Sequence, residues 1–399
     1  MAGKTSLAVG VDAGSSSTRC LICAIDGGYL RLLGYGESGS RGWSKGRLSD
    51  QAAVRDSIID AVQAAERHAR IQIEGAVLGL GGGAIESANS RGVYEFGRPR
   101  EVLADDMTYS VELASKVRLE EGRLLLQVLP QDFTVDGRAG YRNPRGVACA
   151  RLEANVHVIS SLAHDHNAAV SAMHQAHLAV EETIFEGWAA AYACVFEEDR
   201  RQGVAVVDIG AHSTEMVIYD GDALLRACSL PIAGDHFTRD VAYGLCVSFE
   251  DAERLKREYG CAVVGLEADN SLIEVPSAEG RPPREAPRRH LNEILEARAE
   301  ELFWYVRTEL QRVGMEQALL EGILLTGAGA RLHGMCDMAE KVINCQARNG
   351  LPFGIDCWPD ELTDPAWASA AGLAMYSGKL KTRKEFKRKI PGIRGLVFN

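Results

Sequence analysis

Two apolar runs in this chain end in Asp-x-Gly and turn back through small residues. The first, "VGVDAGSSSTRCLICAIDG" from Val9, reads as strand, tight turn, strand, and "VVDIGAHSTEMVIYDG" from Val206 repeats it. Thr18 follows Asp12 and Thr214 follows Asp208 at the same interval, and each second run closes on Asp-Gly. A third strand is expected around "YLRLLGYGES". Next, "LSDQAAVRDSIIDAVQAAERHA" puts Val54, Ile58, Ala61, Val62 and Ala65 on one helical face, with Ser49 as the N-cap. "GAVLGLGGGAI" is a buried strand running into a glycine loop. Strand and helix alternate as they do in an α/β layer.

The texture changes between Ala84 and Ser161. A polar stretch containing Gly92 and Pro99 leads to a short helix near "DMTYSVELASKV", then to strands "RLLLQVLP", "DFTVDG" and "CARLEANVHVIS". This pattern predicts a small α+β insertion. Afterwards "HDHNAAVSAMHQAH" predicts a helix, "EETIFEGWAAAYACVF" a strand and a helix, and "VSFEDAERLKREYGC" an amphipathic helix. A Pro/Arg-rich loop, "PSAEGRPPREAPRR", precedes the long helix "HLNEILEARAEELFWYVRTELQRV". "GILLTGAGARLHGM" repeats the strand and glycine turn, and "LTDPAWASAAGLAMYSG" reads as a last helix.

Charge alters the picture at one end. A net charge of −11 argues against a general nucleic-acid binder. Yet Lys379–Asn399 holds eight Lys/Arg against the single acid Glu385. No apolar run reaches the roughly 18 residues that span a bilayer, and the start lacks a signal-peptide profile. The ten cysteines are scattered and read as reduced thiols of a cytosolic protein, with Cys20 and Cys23 on opposite faces of a strand. His164, His166, His174 and His177 occupy more than one face of their helix, without a Cys or acid set to close a metal site, and read as surface groups.

An Asp at a strand end followed by Gly and hydroxyl residues makes a turn whose backbone N–H groups point outward, a concave donor set that suits phosphate. The Asp itself repels phosphate, so Mg²⁺ or its waters would stand between them; Mg²⁺ takes one or two carboxylates plus phosphate oxygens. Asp12 and Asp208 fit that role, with Ser15, Ser16 and Ser17 lining one turn and Ala211, His212, Ser213 and Thr214 the other. The late "LLTGAGARL" turn would approach a nucleoside, and Glu253 and Lys256 could reach its ribose and base. One such turn alone is an ordinary β-hairpin. Two copies with the late glycine turn point to one shared ligand.

At this point the sequence resembles the actin-like superfamily, which includes sugar kinases and chaperones, and within it is similar to the bacterial FtsA family. The resemblance lies in "LPQDFTVDGRAGYRNPRGV" followed by "RLEANVHVI", in "IEVPSAEGRPPREAPRRHLNEILEARAEELF", and in "YGCA" and "GILLTGAGA". It implies an α/β, actin-like (ribonuclease H-like) duplicated two-lobe fold with an inserted small α+β subdomain. The first lobe would hold 1–83 and 162–200, the insertion 84–161, the second lobe 201–240 and 318–378, its smaller subdomain 241–317, and the basic tail 379–399. It implies ATP between the lobes, self-association into protofilaments, and tethering of FtsZ to the cytoplasmic face of the cell membrane at the division site, among other division proteins.

Asp12, Gly14, Ser15, Asp208, Gly210, Gly327, Ala328 and Gly329 carry over as nucleotide contacts, with Glu253 and Lys256 beside them. Arg298 matches the helix on which the family receives the FtsZ C-terminal tail; an acidic, apolar peptide would suit it together with Arg288 and Arg289, and a solvated helix face explains these arginines equally. Glu186 stands where related proteins place a water-orienting acid, and a helix-start carboxylate favoured by the dipole explains it equally. The second turn departs from the family: "DIGAHSTE" lacks two glycines, places His212 there, and carries Glu215 for the usual Asp. The linker before the tail is also short. Alternatives are a small-molecule kinase, which needs a base in the cleft, and an actin-like pilus-assembly adaptor.

The tail combines charge with grease. Basic residues including Lys384, Lys387 and Arg388, with Phe386 among them, precede Ile390, Ile393, Leu396, Val397 and Phe398. Each Lys or Arg near an anionic leaflet is worth about 1 kcal/mol, and apolar insertion adds to it. A short basic helix, interrupted at Pro391 and Gly392, and a separate apolar plug are expected. Packing of that apolar end on the protein itself is the alternative.

Overall fold

The computed structural model describes residues 6–266, 270–277 and 282–387, with side chains as far as 382. Two sheets repeat one strand order. In the first, Tyr29–Gly39, Ser17–Asp26 and Ser6–Ala13 run antiparallel, and Gly75–Leu80 then Ala179–Phe185 add in parallel. In the second, Ala223–Leu230, Thr214–Asp220, Val204–Ile209, Ile323–Thr326 and Ala347–Asn349 follow the same succession of pairings. The central strands are buried on both faces, which is why they read as unbroken apolar runs. Cys20 and Cys23 pack into different clusters, one on each side of the first sheet.

Helix Gln51–Ala69 takes its cap one residue later than expected. Asp50 is the N-cap, its Oδ1 accepting from the N–H groups of Ala52 and Ala53, while Ser49 donates its hydroxyl to the carbonyl of Gly42. Asp50 has the reach to the second and third amides that a cap requires.

The insertion is a four-stranded sheet in the order Glu86–Glu101, Ala148–Leu162, Arg123–Val135, Arg138–Tyr141. Helix Ala104–Ser115 covers one face, burying Met107 and Val111 against Leu152, Ala154 and Val156. The polar stretch read from the sequence is in fact the edge strand Glu86–Glu101. Most of its side chains face solvent, so it lacks an apolar alternation, and its pairing with Ala148–Leu162 supplies the strand geometry instead. The two expected strands "RLLLQVLP" and "DFTVDG" are one, Arg123–Val135, with a bulge after Pro130.

The span 318–378, expected in the second lobe, is divided between the lobes. Ile323–Thr326 and Ala347–Asn349 join the second sheet, whereas Ile355–Asp356 pairs with Tyr29–Gly39 of the first. Helix Ala368–Lys387 crosses strand Ser6–Ala13 so closely that a Cβ on Gly10 would lie 2.5 Å from the backbone nitrogen of Ala374. It also lies against helix Glu186–Cys194, where a Cβ on Gly372 would sit 1.8 Å from the Ala189 carbonyl oxygen. These two helices fill the space between the lobes, in a core shared by Leu21, Val77 and Ile184 of one and Val206, Val217 and Leu324 of the other.

The last helix does not stop at Gly378, as the sequence suggested, but carries the first basic residues within it. Lys381 Nζ lies 2.7 Å from Glu181 and donates to the Leu7 carbonyl, and Lys379 sits over the ring of Tyr192. Packing against strand Ala179–Phe185 thus extends the helix where the sequence showed only a change of composition. Lys384, Phe386 and Lys387 fall on its final turns, where side chains lie outside the described residues. Arg388, Ile390, Ile393, Leu396, Val397, Phe398 and the expected break at Pro391 and Gly392 also lie outside them. No described helix is long and apolar enough to cross a membrane.

Candidate functional site

Each repeated turn leaves its sheet from the middle strand. Asp12 and Asp208 end equivalent strands, and a Cβ on Gly14 or Gly210 would sit 2.8 Å from the carbonyl oxygen of Ser17 or Ser213. The two backbones therefore close in the same way. The third turn follows Ile323–Thr326, whose Thr326 pairs beside Asp208. Gly327 there has φ +80°, and a Cβ would come within 2.5 Å of Asp208 Oδ1 and of the Ile209 carbonyl. Only glycine lets this backbone lie against the carboxylate.

The three turns open into one cleft. Asp12, Gly14, Ser15, Ser16, Ser17, Asp208, Gly210, Ala211, Ser213, Gly327, Ala328 and Glu186 all line it. Five residues expected beside them do not. Thr214 donates its hydroxyl to the Ile232 carbonyl at 2.6 Å, and His212 Nε2 turns to Asp235 at 3.0 Å. Gly329 packs on Ile209. Glu253 and Lys256 pair with each other at 2.6 Å, and both bond to Thr238. His212, expected to line the second turn, thus pairs its ring with Asp235 instead.

Charge separates the two turns. Across the hairpin from Asp12 stands Arg19, 3.9 Å away and also paired with Glu37 at 2.7 Å. Across from Asp208 stands Glu215, in the corresponding place. Glu215 Oε1 reaches over the cleft to accept the Gly82 N–H of the first lobe at 2.6 Å, and Ser369 donates to Asp208 Oδ2 at 2.7 Å. Glu186, first residue of helix Glu186–Cys194, lies against Gly79 and Gly81.

Asp12, Asp165, Glu186, Asp208 and Glu215 line this cleft with Arg19 and Arg47, five carboxyl groups against two arginines. Burial pushes Asp12 up to about 7, against the pull of Arg19 and with a further push from Asp208. Burial likewise takes Glu215 up to about 7, opposed by the Gly82 N–H. Glu186 rises well above the ordinary range through burial and the charges of Asp12, Glu215 and Asp208, and burial raises Asp208 despite the Ser369 hydroxyl. Such a site favours whatever brings positive charge, a proton or a cation.

Sequence reasoning did not assign site roles to Arg19, Glu215, Gly82 or Ser369. Superposing the two Asp-x-Gly repeats puts Arg19 and Glu215 at one position, so that signal was available. Ser369 had none, because it meets Asp208 only through the crossing of the last helix.

The arginines expected to meet a partner are all engaged. Arg288 Nε donates to the Tyr259 carbonyl at 2.7 Å, and Arg289 pairs with Glu293 at 3.0 Å. Arg298 forks onto Asp240, with nitrogens at 2.5 and 3.1 Å, and also holds Glu301. The four histidines separate: His164, His174 and His177 are exposed, the last beyond the end of helix Ala163–Gln175, whereas His166 is half-buried, bonded to Thr183, and lines the cleft.

Residues 205–372 match the family described as Cell division protein FtsA, and residues 82–160 match the SHS2 domain inserted in FTSA. The chain is 34% identical over 369 residues to Cell division protein FtsA of Pseudomonas aeruginosa, covering 92% of this chain and 88% of that protein. It is 33% identical over 378 residues to the Escherichia coli protein of the same name, covering 93% and 90%. Among solved structures, the PilM-PilN type IV pilus biogenesis complex aligns with a TM-score of 0.68 at 18% identity, covering 94% of this chain and 99% of that one. MreB5 of Spiroplasma citri bound to ADP aligns at 0.56 with 13% identity, covering 94% and 98%. At those identities the likeness is one of fold, and the fold is actin-like.

Proposed function

This chain belongs to the FtsA family of cell division proteins, and from that premise we propose that it is an ATP-binding adaptor that assembles into protofilaments and tethers FtsZ to the cytoplasmic membrane. The observation that carries the nucleotide part is the convergence of two Asp-ended turns and a glycine turn on one buried, acid-rich cleft. Backbone donors of the turns would face phosphate oxygens. Asp12 and Asp208 would hold Mg²⁺, whose charge offsets the excess of carboxylates when it is bound. Among the described residues, no three His, Cys, Asp or Glu groups converge at chelating distance. The cation would therefore complete its shell with water and phosphate oxygens. Glu186 is buried beside these groups, where it could orient water for slow hydrolysis.

Thermal unfolding tests this reading. Mg-ATP is expected to raise the melting temperature of the wild-type chain and to leave Asp12→Ala and Asp208→Ala unmoved. No shift in the wild type would defeat ATP binding, and equal shifts in all three proteins would defeat the roles given to the two aspartates.

The membrane part rests on the basic helix. Lys379 and Lys381 are occupied by the first lobe, so attachment to anionic lipid falls to the residues after them. A chain lacking residues 383–399 is expected to stop pelleting with anionic vesicles; undiminished pelleting would sink that assignment. For FtsZ, an acidic tail peptide would have to displace Asp240 or Glu301 from Arg298. Arg298→Ala should then weaken capture of that peptide, and unchanged capture would move the contact elsewhere.

A further inference from the structure

The insertion is carried by the chain of the first lobe, between Gly75–Leu80 and Ala163–Gln175, yet it fastens to the second. Its sheet has two faces. Ala154, Val156 and Val158 turn toward its own helix, so the alternate positions point the other way. On that side Leu129 and Ile159 share a buried cluster with Leu224 and Ala227 of strand Ala223–Leu230, the outermost strand of the second sheet. An edge strand leaves a row of backbone donors and acceptors without a neighbour. Here side chains of the insertion satisfy those of Leu224 and Ala227. Ser87 Oγ donates to the Ala227 carbonyl at 2.5 Å, and Ala227 N–H donates to His157 Nε2 at 3.1 Å. Gln131 Nε2 donates to the Leu224 carbonyl at 2.7 Å, and Arg142 pairs with Asp222 at 2.9 Å.

The groups are aimed by local structure. Along Ala148–Leu162, Asn155 faces Asp132 and Val156 faces Pro130, which leaves Gln131 as the extra residue of a bulge. Pro130 has no N–H to give the ladder, and bulges re-aim side chains at such points. Asn89 Oδ1 lies 2.6 Å from His157 Nδ1 and 3.3 Å from Gln131 Nε2, holding both. Because Nε2 accepts, the proton sits on Nδ1 and the imidazole is neutral. Burial, helped by the charge of Arg226, holds His157 down at about 4.

We propose that the insertion is an interlobe brace: Ser87, Gln131 and His157 lock it onto the backbone of Ala223–Leu230 and so set the angle at which the two lobes face each other across the cleft. The brace acts in the nucleotide-free chain and does not depend on what the cleft binds.

Hydrogen exchange on the full-length, nucleotide-free protein tests it with two reporters. One is the Ala227 amide; the other is the Gly82 amide, which meets Glu215 across the cleft. In His157→Ala and Asn89→Ala both amides are expected to exchange about tenfold faster or more, while amides of 152–158 inside the insertion stay protected. Acceleration at Ala227 alone would reduce the contact to a local cap and overturn the brace, as would no change at either amide. If His157→Ala unfolds the insertion, Ser87→Ala, which removes only one half-buried donor of the contact, decides between the same outcomes.

Discussion

Two of the polar contacts between the lobes are opposite in character. In the cleft, Glu215 crosses to Gly82 amid Asp12, Asp208 and Glu186, with Arg19 beside Asp12. At the insertion, neutral side chains cap a strand edge, and His157 is held uncharged. Buried like charges are tolerable only while protonated or countered. Neutral hydrogen bonds with every partner in place need nothing added. The first contact is thus sensitive to cations and protons near neutral pH, and the second is not. A protein that changes shape around a ligand needs both a part that responds and a part that holds.

The contrast breaks most sharply at Arg19. Arg19→Met strips the counterion from Asp12, and removing one member of a buried pair costs about 3–5 kcal/mol. Urea unfolding at pH 7.5 should show that loss, and a change below 1 kcal/mol would mean that Asp12 does not need its guanidinium.

The two contacts should also respond to pH in opposite directions. Glu215 has a raised pKa in the fold, so its contribution is intact below the unfolded value and is lost as pH rises toward about 7. Glu215→Gln should match the wild type near pH 4 and exceed it by up to about 3 kcal/mol at pH 8, without nucleotide. His157 has a depressed pKa, so its contribution is present above about 6.5 and is lost as pH falls toward about 4. The deficit of His157→Ala relative to wild type should therefore shrink on acidification, by up to about 3 kcal/mol. Parallel pH profiles for the two variants would erase the distinction.

Smaller effects sharpen it. Gly327→Ala forces a Cβ onto Asp208 at positive φ, a strain of about 1–3 kcal/mol, and should abolish stabilisation by Mg-ATP in the same melting assay. Asn89→Ala removes the group that orients His157 and should cost about 1 kcal/mol in urea unfolding. Full ligand stabilisation in Gly327→Ala would show that the third turn is dispensable.

Much of this was legible in the chain. The Asp-x-Gly repeats announced a doubled lobe because a buried strand and its tight turn are local devices, written in adjacent residues. The edge strand Glu86–Glu101 was hidden because its solvated side chains follow no apolar period, and its geometry comes from a partner beyond position 148. His212 looked like part of the cleft from its place in the second turn, yet Asp235 draws it aside. Asp50, not Ser49, caps its helix for a reason of a single residue of reach.

Taken alone, the order of residues determined the doubled α/β lobes, the insertion, the three turns and the family, since strand runs, turn glycines and long motifs act over short spans. Tertiary structure decided that Glu215 crosses to the other lobe, that Ser369 caps Asp208, and that the insertion grips Ala227. Each of those joins groups at least 70 residues apart, or sets the charge of a group by its burial, and only packing creates either condition.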